Sequence, residues 1–299
     1  MNPWLVVLLI IVGLFLVMYV VAMIKRPGSR YKDKPEEQNP MQGKMVRFVE
    51  NEAEPENADG VRGHLEAIGA SSHSPSFYER IVKRILDLLI SFGGLVLLSP
   101  VFLILSIWIL IDDPGPVLFK QKRIGKDKQY FALHKFRSMK MNTPHNVPTH
   151  MLENPEQYIT RSGRFIRAHS LDELPQIWDI FIGNMSVIGP RPALWNQDWL
   201  TACRDEYGSS NDIKPGLTGW AQINGRDELE IPVKARLDGE YVQKESFLFD
   251  CRCFLGTIFS VLRSDGVVEG GTHGVHPSSP INPNDGKTIQ KEDDYQVKG

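Results

Sequence analysis

The residues best suited to chemistry lie in one stretch, Arg167-Ala168-His169-Ser170-Leu171-Asp172-Glu173-Leu174-Pro175-Gln176. Two adjacent carboxylates stand beside an arginine and a histidine, directly ahead of an apolar run from Ile177 to Ile182. A plain helix start is one reading, because Ser170-x-x-Glu173 fits a capping box. That register puts Pro175 in the helix interior, where its missing N–H and its ring both cost stability. An N-cap at Asp172 moves Pro175 into the first turn, where the backbone N–H has no partner anyway. Asp172 then stands at the positive end of a helix dipole, and so would any phosphate beside it.

Cations elsewhere in the chain suit the same chemistry. Val117 to Gln121 and Gln129 to Met139 read as short strands. In the second, Leu133, Lys135, Arg137 and Met139 share one face by the period-two rule. Lys135 and Arg137 then project together, which suits a phosphate and equally suits a solvated edge blunted with charge. Arg191 lies between Pro190 and Pro192, which stiffen the backbone on both sides of it. The stretch from Lys214 to Arg226 is punctuated by Pro215-Gly216 and Asn224-Gly225, both turn signals. Gly219 and Gly225 permit close backbone approach to a ligand, with Arg226 projecting beside the second turn. The sequence contains no G-x-x-x-x-G-K-[ST], G-x-G-x-x-G or H-E-x-x-H, so phosphate handling here is not by a P-loop.

The elements that must position these groups start with size. A chain of 299 residues holds one or two domains, and a net charge of −2 gives no basic excess that would point to nucleic acid. Its three cysteines include Cys251-x-Cys253, a spacing of neither zinc nor thioredoxin type, so a reducing compartment is the simpler inference. Trp4 to Ile24 is uncharged and apolar, with Lys25-Arg26 behind it. About 20 such residues span a bilayer as a helix, and the basic pair places its C-terminal end in the cytoplasm. Residues 1–26 therefore read as an N-terminal transmembrane anchor. Residues 27–76, rich in Pro, Glu, Asn, Gly and Ser, read as a disordered linker with room for a short helix over Val61 to Ile68. A second apolar stretch, Leu88 to Ile111, is interrupted by Ser99-Pro100 and bracketed by Arg80, Lys83 and Arg84 before it and Lys120, Lys122, Arg123, Lys126 and Lys128 after it. Basic flanks on both sides want both ends in the cytoplasm, so residues 85–113 are expected to enter, bend at Ser99-Pro100 and leave by the same face. Thr143 to Thr160 resembles a loop over a site, while Trp195 to Tyr207, Leu237 to Tyr241 and Phe247 to Leu262 read as helices. The last segment, 267–299, reads as a disordered tail.

Taken in order, Lys83-Arg84-Ile85-Leu86-Asp87, Leu98-Ser99-Pro100, Phe119-Lys120-Gln121-Lys122-Arg123-Ile124-Gly125 and Lys135-Phe136-Arg137-Ser138-Met139 resemble segments of a known family. Ser170-Leu171-Asp172-Glu173-Leu174-Pro175-Gln176, Gly189-Pro190-Arg191-Pro192 and Pro215-Gly216-Leu217-Thr218-Gly219-Trp220-Ala221-Gln222-Ile223-Asn224-Gly225-Arg226 continue the match. The collinear set is similar to the bacterial sugar transferases, the monotopic polyprenyl-phosphate phosphoglycosyl transferases. The resemblance implies an enzyme that moves sugar 1-phosphate from a UDP-sugar to undecaprenyl phosphate, releasing UMP and starting an exopolysaccharide, capsule, O-antigen or glycoconjugate. By that likeness Asp172 is the nucleophile, forming a phosphosugar–aspartyl intermediate. Asp172 and Glu173 are the family's catalytic pair and its expected Mg²⁺ ligands. Lys135, Arg137, Arg167, Arg191 and Arg226 are then expected around the phosphates, because a carboxylate attacking a diphosphate must overcome like-charge repulsion. Asp238 and Asp250 match acidic positions near the family's C-terminal helices, with nucleotide contact and structural duty both open. Ser99-Pro100 falls on the family's break in a re-entrant membrane helix.

The expected fold is α+β and mostly helical: the anchor, a phosphoglycosyl transferase domain over 77–266 with a short β element, and the re-entrant hairpin. The expected setting is the bacterial inner membrane, with the domain on the cytoplasmic face. Further candidate partners are the bilayer itself, downstream glycosyltransferases and a second copy of the chain. A non-catalytic membrane scaffold and a nucleotide-sugar-binding subunit are the rival classes. The chain departs from the family at Asn184, where Gly-Asp-Met-Ser is the usual form, and nothing in it selects a particular sugar.

Overall fold

A computed structural model describes residues 38–71, 73–141, 143, 155–225 and 229–263. The expected anchor, the first part of the linker, most of the loop after Thr143, Arg226 and the C-terminal tail lie outside these residues. Among them the chain is helical with small sheets, as expected for the α+β class.

The first described elements correct the linker. Residues from Lys44 to Glu50 (β1) and Gly63 to Ala70 (β2) pair as an antiparallel hairpin, where an unfolded tether and a short helix were expected. Composition hid it because the hairpin builds little core of its own and borrows partners downstream. Val46 is buried and its N–H donates to Asp205 Oδ2 at 2.8 Å. At the hairpin's far end Asp59 accepts from Leu200 N and Gln197 Nε2, both at 3.1 Å.

A π-helical turn, Tyr78–Val82, leads into α1 (Lys83–Leu97), followed by α2 (Ser99–Asp112). The chain breaks at Leu98 and the two helices bend by 58°. Pro100 falls in the first turn of α2, so its missing N–H costs nothing there. The Val96 carbonyl, which loses the helical donor that Pro100 lacks, receives the Ser99 hydroxyl at 2.8 Å. No single described helix is long and apolar enough to cross a membrane; this bent pair reaches that length only together. Its outer faces are apolar and open, with Leu97 and Ile111 among the most exposed side chains. Part of the basic bracket turns out to be internal: Lys128 is fully buried against Asp205 and Asp212, and Lys126 pairs with Glu79.

Strands β3 (Leu118–Ile124) and β4 (Tyr130–Phe136) pair antiparallel with Leu118 opposite Phe136. Helix α3 (Arg161–Ala168) is capped by the Thr160 hydroxyl, which accepts from Gly163 N at 2.9 Å. A 3₁₀ turn, Leu171–Glu173, then enters α4 (Gln176–Ile182), and β5 (Ser186–Ile188) follows. Next come α5 (Asp198–Tyr207), β6 (Gly216–Thr218), which is parallel to β5, and the short α6 (Trp220–Ile223). Helices α7 (Ile231–Lys244) and α8 (Phe247–Arg263) complete the described chain.

The main core joins Phe131 and Leu133 of β4, Ile180 of α4, Val187 and Ile188 of β5, and Leu237 and Tyr241 of α7. A second cluster sets Leu105 and Ile109 of α2 against Phe136 and Ile166, with Leu171 and Leu174 packed on it. Those two leucines flank the acid pair, so the turn carrying the acids is seated on this cluster, against β4 and α3, which connect it to α2. Arg84 of α1 donates to the carbonyls of Ile180 (2.7 Å) and Phe181 (2.8 Å), satisfying the C-terminal end of α4.

Candidate active site

Asp172 and Glu173 occupy the 3₁₀ turn, not the first turn of an α-helix. Ser170 precedes them in the left-handed region (φ 53°) and makes no side-chain cap, so the capping box does not form. Pro175 is itself the N-cap of α4, so the helix starts three residues later than an N-cap at Asp172 would have it. The seven-residue α4 begins beyond both acids, and their charges are met by side chains instead of a helix dipole.

Lys135 reaches both acids, with Nζ 3.1 Å from Glu173 Oε1 and 3.5 Å from Asp172 Oδ2. Arg191 grips Glu173 with two bonds, Nη2 to Oε1 at 2.5 Å and Nη1 to Oε2 at 3.2 Å. Arg167, on the last turn of α3, acts on Asp172 through its charge. The structure thus brings Asp172, Glu173, Lys135, Arg167 and Arg191, five of the residues singled out in the sequence, to one place. Three cations face two carboxylates, a surplus that an incoming phosphate would neutralise.

Arg137 is a correction. The ladder of β4 ends at Phe136, and the Arg137 guanidinium turns to Asp113 at the end of α2, with Nη1 3.0 Å from Oδ2 and Nη2 on the Asp113 carbonyl. Period two fixes the face of a side chain near a strand end, not its partner. Asp238 and Asp250 likewise lie away from the acids. Asp250 accepts from Tyr78 Oη (2.7 Å), Tyr241 Oη (2.6 Å) and Lys83 Nζ (2.5 Å), a buried structural knot. Asp238 Oδ2 holds Arg204, at 2.9 Å from Nε and 2.6 Å from Nη2. Gly219 serves a loop crossing: a Cβ there would stand 2.1 Å from the Gly189 carbonyl oxygen, so the glycine admits backbone, not ligand.

Arg204 is the functional residue the sequence did not disclose. Besides Asp238, its Nη2 donates to the Arg191 carbonyl at 2.9 Å. Asp238 therefore fixes Arg204, Arg204 fixes the backbone of Arg191, and Arg191 fixes Glu173. An arginine on the otherwise buried face of α5, with Leu200 and Cys203, was the only signal available.

The two acids titrate apart. Burial pushes the Asp172 carboxyl up; Lys135 and Arg167 pull against it while the adjacent Glu173 reinforces it, and the net shift is upward. Burial works on Glu173 as well, but Arg191 and Lys135 overcome it and hold that carboxyl well below the usual range. Carboxylates driven in opposite directions by their surroundings are the mark of divided roles. Glu173 is a locked anion that orients two cations. Asp172 is less stabilised as an anion and more basic, which suits a nucleophile.

The expected Mg²⁺ pair fits only in part. Among the described residues no group of three or more His, Cys, Asp or Glu side chains converges as a metal site. Both Glu173 oxygens are engaged by Arg191 and Lys135, so Asp172 is the one acid of the pair with room for a cation.

The family model described as "Bacterial sugar transferase" matches residues 78–264. A UDP-glucose:undecaprenyl-phosphate glucose-1-phosphate transferase of Escherichia coli (strain K12) is 37% identical over 186 residues, covering 60% of this chain and 40% of that protein. The uncharacterized sugar transferase EpsL of Bacillus subtilis (strain 168) is 37% identical over 187 residues, covering 62% of this chain and 90% of EpsL. An undecaprenyl-phosphate galactose phosphotransferase of Salmonella typhimurium is 33% identical over 202 residues, covering 62% of this chain and 42% of that protein. The shared segment thus spans well under half the length of the two relatives named for a reaction. The family match over 78–264 contains every described member of the acid–cation cluster and excludes the β1–β2 hairpin.

Proposed function

The chain belongs to the bacterial sugar transferase family, and from that premise we propose that it transfers sugar 1-phosphate from a UDP-sugar to undecaprenyl phosphate. An Asp172 carboxylate oxygen attacks the phosphorus that bears the sugar. The bond from that phosphorus to the bridging oxygen breaks, and UMP leaves with the electron pair. The phosphosugar is then an acyl phosphate on Asp172, and an oxygen of the lipid phosphate displaces the carboxylate to give the lipid diphosphate sugar. Lys135, Arg191 and Arg167 offset the charge that would otherwise repel both attacks. The names of the Escherichia coli and Salmonella relatives support this class of donor and acceptor.

The observation that carries the reading is the split of the acid pair: Glu173 is spent on two cations, leaving Asp172 as the basic carboxylate beside them. Mg²⁺ belongs to the proposal as a companion of the donor's diphosphate, where it would neutralise charge. The bent pair α1–α2 is proposed to be re-entrant, so that the acid-bearing turn connected to it through β4 and α3 lies at the cytoplasmic face of the inner membrane, where soluble donor and lipid acceptor meet.

The direct test is the full chain in nanodiscs with a panel of UDP-sugars, undecaprenyl phosphate and Mg²⁺, followed by UMP release and mass spectrometry. A sugar-phosphate adduct on Asp172 and its loss in Asp172→Asn are expected. Wild-type UMP release by Asp172→Asn would refute the nucleophile. Cysteine labelling at both ends of α1–α2 is expected to report a single compartment; labels from opposite faces would overturn the re-entrant path.

A further inference from the structure

Three rings run in a stack from the bent helix pair to the acid-bearing turn. Trp108 of α2 and Phe165 of α3 have centroids 5.3 Å apart, and Phe165 and His169 stand at 4.3 Å. His169 lies one helical turn beyond Phe165, so both project from the same side of α3. The His169 Nδ1 is 2.9 Å from the Phe165 carbonyl oxygen, an acceptor only, so Nδ1 carries a proton and donates. Among the described residues Nε2 has no partner, and the ring is exposed. Trp108 is 37% and Phe165 43% exposed, although each is large enough to anchor a core. The rings face outward in a row, apolar at the α2 end and polar at the end three residues from Asp172.

We propose that this row seats the lipid acceptor, a polyisoprenyl phosphate, with its first isoprene units on Trp108 and Phe165 and its phosphate at His169 Nε2. The assignment rests on the transferase reading above and adds a binding surface to it. Its polarity matches that class of molecule: a hydrocarbon chain ending in a phosphate monoester that must arrive beside Asp172. One proton lies between the monoester and Nε2, as P–OH···N or as N–H···O⁻, and the Arg167 charge that acts on Asp172 favours an anion at that end. The row continues from α2, which also leaves Leu103, Ile104, Ile107, Leu110 and Ile111 open, so the lipid has apolar side chains along its approach to the rings. Bulk phospholipid is the other occupant to separate. Its phosphate is a diester with no hydroxyl to share, and nothing in the reaction requires it at the acids.

The full chain in nanodiscs separates these cases through two half-reactions. UMP released as a burst without acceptor reports the donor half and correct folding. The acceptor KM is measured with undecaprenyl phosphate and with a two-isoprene phosphate. Trp108→Ala and Phe165→Ala are expected to leave the burst intact and raise the KM roughly tenfold for both acceptors, since each carries the first isoprene units that the rings would seat. His169→Ala is expected to raise KM for both acceptors alike. If an alanine variant lowers the burst, Phe165→Leu and Trp108→Leu carry the same comparison. An intact burst with unchanged acceptor KM overturns the assignment and leaves the rings to bulk lipid. No burst from the unaltered chain, with turnover present once acceptor is added, overturns the covalent step of the transferase reading; no turnover with either acceptor overturns the reading itself.

Discussion

Removing the charge of Asp238 tests how the site is held. Asp238 and Arg204 are 1% and 3% exposed, and Arg204 Nη2 also holds the Arg191 carbonyl at 2.9 Å. In Asp238→Asn the guanidinium stays buried without a counter-charge, which costs about 3–5 kcal/mol. For a domain of this size that lowers Tm by roughly 6–20 °C. Replacing both partners, Arg204→Leu with Asp238→Leu, removes the two buried charges together, a change that is often near neutral. What remains is a Arg191 carbonyl without its donor, at about 1–3 kcal/mol. Stability should therefore recover in the double variant while turnover does not. Arg191 would lose the contact that sets its backbone, and a misplacement of about 1 Å costs on the order of 100-fold in rate. Thermal unfolding and UMP release on the same nanodisc samples read both effects. A double variant that regains stability and also turns over at the wild-type rate would refute the claim that Arg204 positions Arg191.

Asp172 should carry a stability cost. Its folded pKa is raised, so ionisation disfavours the fold above the unfolded pKa, and the penalty fades as pH falls below it. Asp172→Asn is expected to be inactive yet to melt higher than wild type at pH 7.5, with the gain vanishing toward pH 4; an equal or lower Tm at pH 7.5 would contradict the shift. Glu173 has the opposite sign: its depressed pKa makes it stabilising above the unfolded value, with the contribution lost as pH falls toward its folded pKa. Glu173→Gln should therefore lower Tm at neutral pH and approach wild type under acid conditions. Arg137→Ala should lower Tm by loosening Asp113 while leaving the donor KM within about twofold, since it is tied to the end of α2. Calorimetric titration with Mg²⁺ should give no saturable binding to the free protein and binding once a UDP-sugar is present; tight binding without the donor would show a resident site.

The acid pair and three of its cations were legible through the likeness of their segments to the family, which implied a carboxylate attacking a diphosphate and therefore cations gathered around it. Arg137 shows the limit of that reasoning. A cation waiting for phosphate and a cation already paired with Asp113 look the same in sequence, since the partner is set by where α2 ends. Asp238 and Arg204 are 34 positions apart, and only the packing of α7 on α5 makes them a pair. The break at Ser99-Pro100 could be read because proline acts locally, through its own nitrogen. The flanking charges were less secure, as Lys128 shows by being buried against Asp205 and Asp212. The hairpin was invisible to composition because Val46 finds its cover on another part of the chain. Arg226 lies outside the described residues and keeps the status of an expectation.

The hairpin also bears on where this protein can be cut. Likeness to the family begins at residue 78, but the contacts that hold α5 begin earlier. Asp59 supplies acceptors at the amino end of α5, whose own Gln197 provides no side-chain cap, and Val46 completes the bonding of Asp205. A fragment trimmed to the family boundary would fray the rod on which Arg204 is mounted. Coming from the amino-terminal side, the chain is tied first to the β3–β4 connection, where Asn39 Nδ2 donates to the Lys128 carbonyl at 2.7 Å and Gly43 N to that of Asp127 at 2.9 Å, and only then to the rod.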